Sequence, residues 1–153
     1  MRADLAVEFL PDVLACDGSV WVTAVSWSMA PLIQPGDALR VVPVGVDGLR
    51  PGAIVAYRAS AQLIVHRVVA QTCKGLVTRG DALHDVDAGV PWTRVVGRVT
   101  AIRTPSGRRL ELTRSPWTIL EPALGWLAGR QRDGWLTWKA RRAPLHIAAA
   151  VLR

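Results

Sequence analysis

The stretch Gln34-Pro-Gly-Asp-Ala-Leu-Arg-Val-Val-Pro-Val-Gly-Val-Asp-Gly-Leu-Arg-Pro-Gly-Ala-Ile-Val-Ala-Tyr-Arg58 decides the fold. It contains the same punctuation twice. In Gln34-Pro35-Gly36-Asp37 and again in Arg50-Pro51-Gly52-Ala53, proline presets φ and glycine supplies the positive φ that a type II turn requires. Each turn releases an apolar, partly β-branched run, 38–43 and 53–58, and Asp47-Gly48 marks a further turn between them. Turn, strand, turn, strand at this spacing is the pattern of an antiparallel β body rather than a helical one.

Working outward, the pattern continues on both sides. The run 20–25 is β-branched and apolar, and further strands are expected at 62–71, 75–79, 94–103 and 108–113. Residues 3–10 are expected to form a short helix ended before Pro11. At Ser115-Pro116 the character changes to a helix N-cap followed by a proline suited to the first helical position. Trp117, Leu120, Leu124 and Leu127 then recur at helical spacing, and helices are expected again at 134–142 and 144–152. The fold class is therefore mainly β with C-terminal helices. Its divisions are a helical lead-in over 1–19, a β domain over 20–113 and a helical tail over 114–153.

Composition narrows the class of protein. The chain has 153 residues, half of them hydrophobic and 20% charged, which excludes a disordered or low-complexity segment. A chain of this size buries roughly 68–70% of its unfolded surface and needs no disulfide or metal to hold it. Cys16 and Cys73 are too few for a disulfide framework and lack metal-ligand spacing, so no cofactor or metal is expected. No apolar run approaches the ~20 residues of a membrane-spanning helix. The acids in the N-terminal apolar stretch do not suit a secretory signal peptide either. The expected location is cytoplasmic or peripheral to a membrane.

Charge is concentrated at one end. Residues 1–97 carry 8 basic and 9 acidic side chains, whereas 98–153 carry 11 basic and 3 acidic, so the whole net charge of +7 is C-terminal. Four of the seven tryptophans (Trp117, Trp126, Trp135, Trp138) share that region. Such a tail is either a solvated helix face or an interfacial segment, tryptophan favouring the headgroup zone and arginine attracting anionic lipid. Nucleic acid is a weaker partner because no reading motif accompanies the charge.

Three short segments carry the chemistry. Ser26-Trp27-Ser28-Met29-Ala30-Pro31 places two hydroxyls at a strand exit, where one can attack and the other face a developing oxyanion. As a plain turn, the same residues need no function. In Ile64-Val65-His66-Arg67-Val68-Val69, alternation puts Ile64, His66 and Val68 on one face and Val65, Arg67 and Val69 on the other. A lone histidine on an apolar face is more often a satisfied core residue than a base. Thr78-Arg79-Gly80-Asp81-Ala82-Leu83-His84-Asp85-Val86-Asp87 brings three carboxylates into a loop that can orient a histidine, bind a cation or simply be solvated. It lacks the patterns of a calcium loop or a zinc site.

The identity and order of these segments say more than any one alone. Ser-Xaa-Ser-Met-Xaa-Pro, Pro-Gly-Asp, Pro-Gly-Ala-Ile-Val, Val-His-Arg-Val and Thr-Arg-Gly-Asp-Ala, over about residues 20–102, resemble the type I signal peptidase superfamily. The likeness is to the archaeal and endoplasmic-reticulum branch, which has histidine where most bacterial members have a lysine base. The only lysines here, Lys74 and Lys139, lie outside the His66 segment. The resemblance implies a coiled β-sandwich or β-barrel core and a serine endopeptidase that cleaves signal or leader peptides after small residues. It makes Ser28 the nucleophile, His66 the general base, and Ser26 with the Ser28 N–H the oxyanion hole. Asp81 matches the Gly-Asp carboxylate and Asp87 the third triad member, with Asp85 an alternative orienter. Met29 and Pro31 would contact substrate, bound as an added β-strand. The rival is a catalytically silent peptide-binding module that docks on membrane or partner through its basic tail.

The chemistry of this assignment is consistent. A serine hydroxyl needs a neighbouring base to attack, and an ordinary imidazole, titrating near ~6.5, is neutral at pH 7 and accepts that proton directly. A lysine would first need its pKa lowered by burial. The carboxylate fixes the imidazole tautomer and stabilises the imidazolium.

Overall fold

A computed structural model describes residues 9–113, together with 122 and 123. It begins with a helix, α1 (Leu10–Asp17), that sends Leu14 into the core and ends where Gly18 takes a left-handed φ of 68° and its N–H bonds to the Leu14 carbonyl. The helix expected over 3–10 falls, except for Phe9 and Leu10, outside the described residues. Its expected end before Pro11 is corrected, because Pro11 stands in the first turn of α1 rather than stopping a helix. Its missing N–H costs nothing there, because first-turn N–H groups have no intrahelical acceptor.

Eight strands follow: β1 (Val20–Thr23), β2 (Ala38–Val42), β3 (Ile54–Ala59), β4 (Gln62–Thr72), β5 (Gly75–Arg79), β6 (Val90–Pro91), β7 (Val95–Arg103) and β8 (Arg109–Glu111). They form one antiparallel sheet in the order β1-β2-β7-β3-β4-β5-β6, with β8 added beside β7. The expectation of a mainly β body is met, and every strand predicted from the sequence exists within a few residues of its expected bounds. Only β6 was not foreseen; a two-residue strand containing proline carries no pattern to read. Of the expected coiled β-sandwich or β-barrel, the barrel is corrected: among the described residues the sheet is not closed, and β1 and β6 are its ends. Apart from residues 122 and 123, both helical, the helices expected at 117–127, 134–142 and 144–152, and with them the tail, fall outside the described residues.

The two Pro-Gly turns form as the residue types demand. Gly36 and Gly52 have φ of 92° and 101°, and the Asp37 and Ala53 N–H groups donate back to Gln34 and Arg50. Each turn delivers its strand into the sheet at a fixed register. β3 is the axis, pairing β7 on one side and β4 on the other. Its side chains alternate between two apolar clusters. Ile54 and Ala56 join Met29, Leu32, Ile33, Leu39, Val41, Val99 and Ile102 on one face. Val55 and Tyr57 join Leu49, Val68, Leu76 and Val90 on the other. Both faces are buried there, so β3 reads as a continuous apolar run.

β4 inherits the same two sides, with Leu63 and Val65 against the first cluster and Ile64 and Val68 against the second. The alternation read from the sequence is therefore correct around His66. Register places His66 opposite Val55 and Arg67 opposite Ile54. β5 pairs with β4 only from Arg67 onward, so, among the described residues, 62–66 have a partner strand on the β3 side alone. β1 likewise pairs only with β2 among the described residues. These two free edges frame the candidate site.

Candidate active site

Ser28 is held between a tethered strand exit and a buried anchor. Ala24 exchanges backbone hydrogen bonds with the first Pro-Gly turn, its N–H donating to Asp37 and its carbonyl accepting from Gly36, each at 2.8 Å. The chain then leaves the sheet, and Val25, Ser26 and Trp27 are exposed. It re-enters at Met29, Leu32 and Ile33, all at most 2% exposed, with a cis bond at Ala30-Pro31 and the Ile33 N–H donating to the Met29 carbonyl. The exposed stretch 25–27 on one side and buried Met29 on the other thus hold the half-buried Ser28 at the surface of the core. Its Oγ lies 3.2 Å from Ser26 Oγ.

A second tie comes from the acidic loop. The Ala82 N–H donates to the Ser28 carbonyl at 2.9 Å. The close passage depends on Gly80, where a Cβ would stand 2.6 Å from that carbonyl and 2.9 Å from Leu83.

Asp81, in the same loop, belongs to Arg67. Both carboxylate oxygens accept from the guanidinium, Oδ1 from Nε at 2.7 Å and Oδ2 from Nη2 at 2.6 Å, while Nη1 donates to the Gly52 carbonyl at 2.7 Å. Arg67 is 1% exposed, and this two-pronged pair joins β4, the second Pro-Gly turn and the acidic loop at one point.

Asp87, six residues on, reaches His66. Its Oδ2 lies 2.6 Å from His66 Nδ1 and also accepts from Thr78 Oγ1 at 2.6 Å and from the Tyr57 hydroxyl at 3.1 Å. The Asp87 N–H donates to the Thr78 carbonyl, fixing the loop to the end of β5. Burial works to raise the Asp87 carboxyl, but the bonds from His66 and Thr78, the His66 charge and the Tyr57 bond outweigh it and hold it below its ordinary value. Burial pushes the Tyr57 hydroxyl up to about 12, with the Asp87 charge adding to the rise against an opposing Thr78 hydrogen bond, so it stays a neutral donor. An ionised carboxylate only accepts, so Nδ1 of His66 carries the proton and a neutral ring offers its lone pair at Nε2.

The structure thus separates the three carboxylates of the loop. Asp87 meets His66, Asp81 meets Arg67 instead, and Asp85 is exposed. Ser26, Ser28, Met29 and His66 line one cleft of about 900 Å³, bounded by the free edges of β1 and β4, with Leu10 and Leu83 at its walls. Among the described residues His66 is the one ionisable side chain in that lining. Pro31 is buried and does not line it. Ser28 Oγ and the His66 ring share the cleft without bonding to each other; their side-chain hydrogen bonds go to Ser26 and Asp87 respectively. Apo catalytic contacts are often long and tighten only around substrate.

Sequence reading gave no role to Tyr57, Thr78 or Arg67. Arg67 had a signal, a charge in an otherwise apolar strand, which needs a buried partner. Tyr57 and Thr78 had none, because their link to Asp87 depends on how β3, β4 and β5 register. Among the described residues no cluster of His, Cys, Asp or Glu is arranged to hold a metal, and no helix is long and apolar enough to cross a membrane. No protein-family model and no curated protein matches the chain.

Proposed function

We propose that the chain is a serine endopeptidase of the signal peptidase type, cleaving signal or leader peptides after small residues. The observation that carries this reading is the 2.6 Å contact between Asp87 Oδ2 and His66 Nδ1 at a cleft that also holds Ser28. In the proposed mechanism Ser28 Oγ attacks the scissile carbonyl while His66 Nε2 takes its proton, and Asp87 stabilises the imidazolium. The Ser26 hydroxyl and the Ser28 N–H receive the oxyanion. His66 then protonates the leaving amine, and water, activated by the same ring, releases the acyl group from Ser28. Asp81 is assigned to the Arg67 pair, with no part in the proton transfer.

The substrate lies extended between the free edges of β1 and β4, making backbone hydrogen bonds to them, with Met29 beside it. Among the described residues the lining of the cleft is uncharged apart from His66, which suits an apolar segment. The open sheet would represent the coiled β-sandwich of this family. The basic, Trp-rich stretch 114–153 is proposed to rest on a membrane surface.

A second reading, a peptide-binding module without catalysis, is favoured by the absence of a bond between Ser28 Oγ and His66. Mass spectrometry of a leader- and signal-peptide library, incubated with wild type and Ser28→Ala, with and without anionic vesicles, separates the two. Cuts after small residues by wild type alone support the peptidase. Peptides retained but uncut support the binding module.

A further inference from the structure

The bonding around Asp87 exceeds what a histidine partner requires. One oxygen, Oδ2, accepts from three side chains on three neighbouring strands: Tyr57 of β3, His66 of β4 and Thr78 of β5. Tyr57 and His66 also touch edge to face, with ring centroids 6.3 Å apart at 70°. A charged pair nearby, Arg67 with Asp81, is committed to itself and to the Gly52 carbonyl, and Arg67 alternates to the opposite face of β4. Tyr57 is 5% exposed and Thr78 fully buried, so neither hydroxyl has an alternative in water.

A carboxylate at the end of a loop can rotate about its side-chain bonds, and each rotation would offer Nδ1 a poorer acceptor. Two buried donors on the same oxygen remove that freedom. We propose that Tyr57 and Thr78 are positioning residues: by donating to Asp87 Oδ2 they hold the carboxylate against His66 Nδ1 and keep the neutral ring in its Nδ1–H form, with Nε2 facing the cleft as proton acceptor. This deepens the peptidase reading and rests on it for its catalytic meaning.

The test is ¹⁵N NMR of the imidazole in the full chain at about pH 8, where an ordinary histidine is neutral. Wild type is expected to show Nδ1 protonated and Nε2 unprotonated. Tyr57→Phe and Thr78→Val each remove one hydroxyl and little volume, and each is expected to shift part of the population to the Nε2–H form. On a library peptide that wild type cuts, each is expected to lower kcat about tenfold with KM unchanged, the scale of one hydrogen bond to a charged group. Thr78→Ser, which keeps the hydroxyl, is expected to restore the wild-type spectrum. A Thr78→Val chain that failed to fold would leave the decision to Tyr57→Phe and Thr78→Ser. A wild-type tautomer in a folded Tyr57→Phe chain would overturn the proposal, as would a fall in kcat without a tautomer change. If wild type cuts no peptide, the peptidase reading falls, while the ring spectra still decide the positioning role.

Discussion

Arg67 and Asp81 form a buried two-pronged ion pair one residue along the strand from His66, with contacts of 2.7 and 2.6 Å. Neighbouring residues of β4 therefore serve opposite faces of the sheet. His66 turns toward Asp87, and Arg67 binds the loop that carries Asp87. The ion pair sets where the loop starts, the Ala82–Ser28 bond sets where the serine stands, and Asp87 meets the ring at the far end.

Removing one partner of that pair leaves the other as an uncompensated buried charge. Asp81→Ala or Arg67→Ala is expected to destabilise the fold by about 3–5 kcal/mol in urea unfolding. A joint replacement, Arg67→Met with Asp81→Leu, is expected to recover much of that loss. A single variant within about 0.5 kcal/mol of wild type, the range of an ordinary surface change, would contradict the account.

Asp87 gives stability a defined dependence on pH. Its folded carboxyl is held below the ordinary value, so the unfolded chain binds the proton more readily. The stabilisation is therefore complete above the unfolded value near ~3.9 and is lost as pH falls through the folded one. The stability difference between wild type and Asp87→Asn is expected to shrink as the pH falls below the ordinary carboxylate value. A difference that grew over that acid range would reverse the assigned direction.

Gly80 leaves room for the serine segment. A methyl group there would stand 2.6 Å from the Ser28 carbonyl, and the obstruction is backbone, which cannot swing aside. Gly80→Ala is expected to cost about 1–3 kcal/mol and to lower cleavage further than stability alone explains. Thermal melts beside cleavage rates would show it. Wild-type values in both would mean that the Ser28–Ala82 tie is dispensable.

The oxyanion role of Ser26 has its own signature. Its Oγ lies 3.2 Å from Ser28 Oγ, on an exposed part of the chain where little packing depends on it. Ser26→Ala is expected to lower kcat about 10²–10³-fold, the scale of one lost oxyanion donor, with the melting temperature unchanged. An equal loss of stability would point to a structural hydroxyl instead.

The strands were legible because Pro35-Gly36 and Pro51-Gly52 impose their turns whatever surrounds them, and because residues 62–71 are rich in β-branched side chains. Pro11 misled, since proline breaks a helix interior yet suits a first turn, and one sequence position does not reveal which applies. The openness of the sheet was not legible, because closure depends on strand tilt and shear rather than on local pattern. In the site, His66 and Ser28 stood out through the identity and order of the five segments rather than by residue type alone. The division of labour between Asp81 and Asp87 did not. It depends on opposite faces of β4, and on a loop whose course is set by the Arg67 pair.

The most direct measurement is the cleavage rate of one library peptide by wild type, Ser28→Ala, His66→Ala and Asp87→Asn, each shown to be folded. The account predicts cleavage by wild type, none detectable for the first two variants, and a severely reduced rate for Asp87→Asn. Cleavage by Ser28→Ala or His66→Ala at the wild-type rate would contradict it.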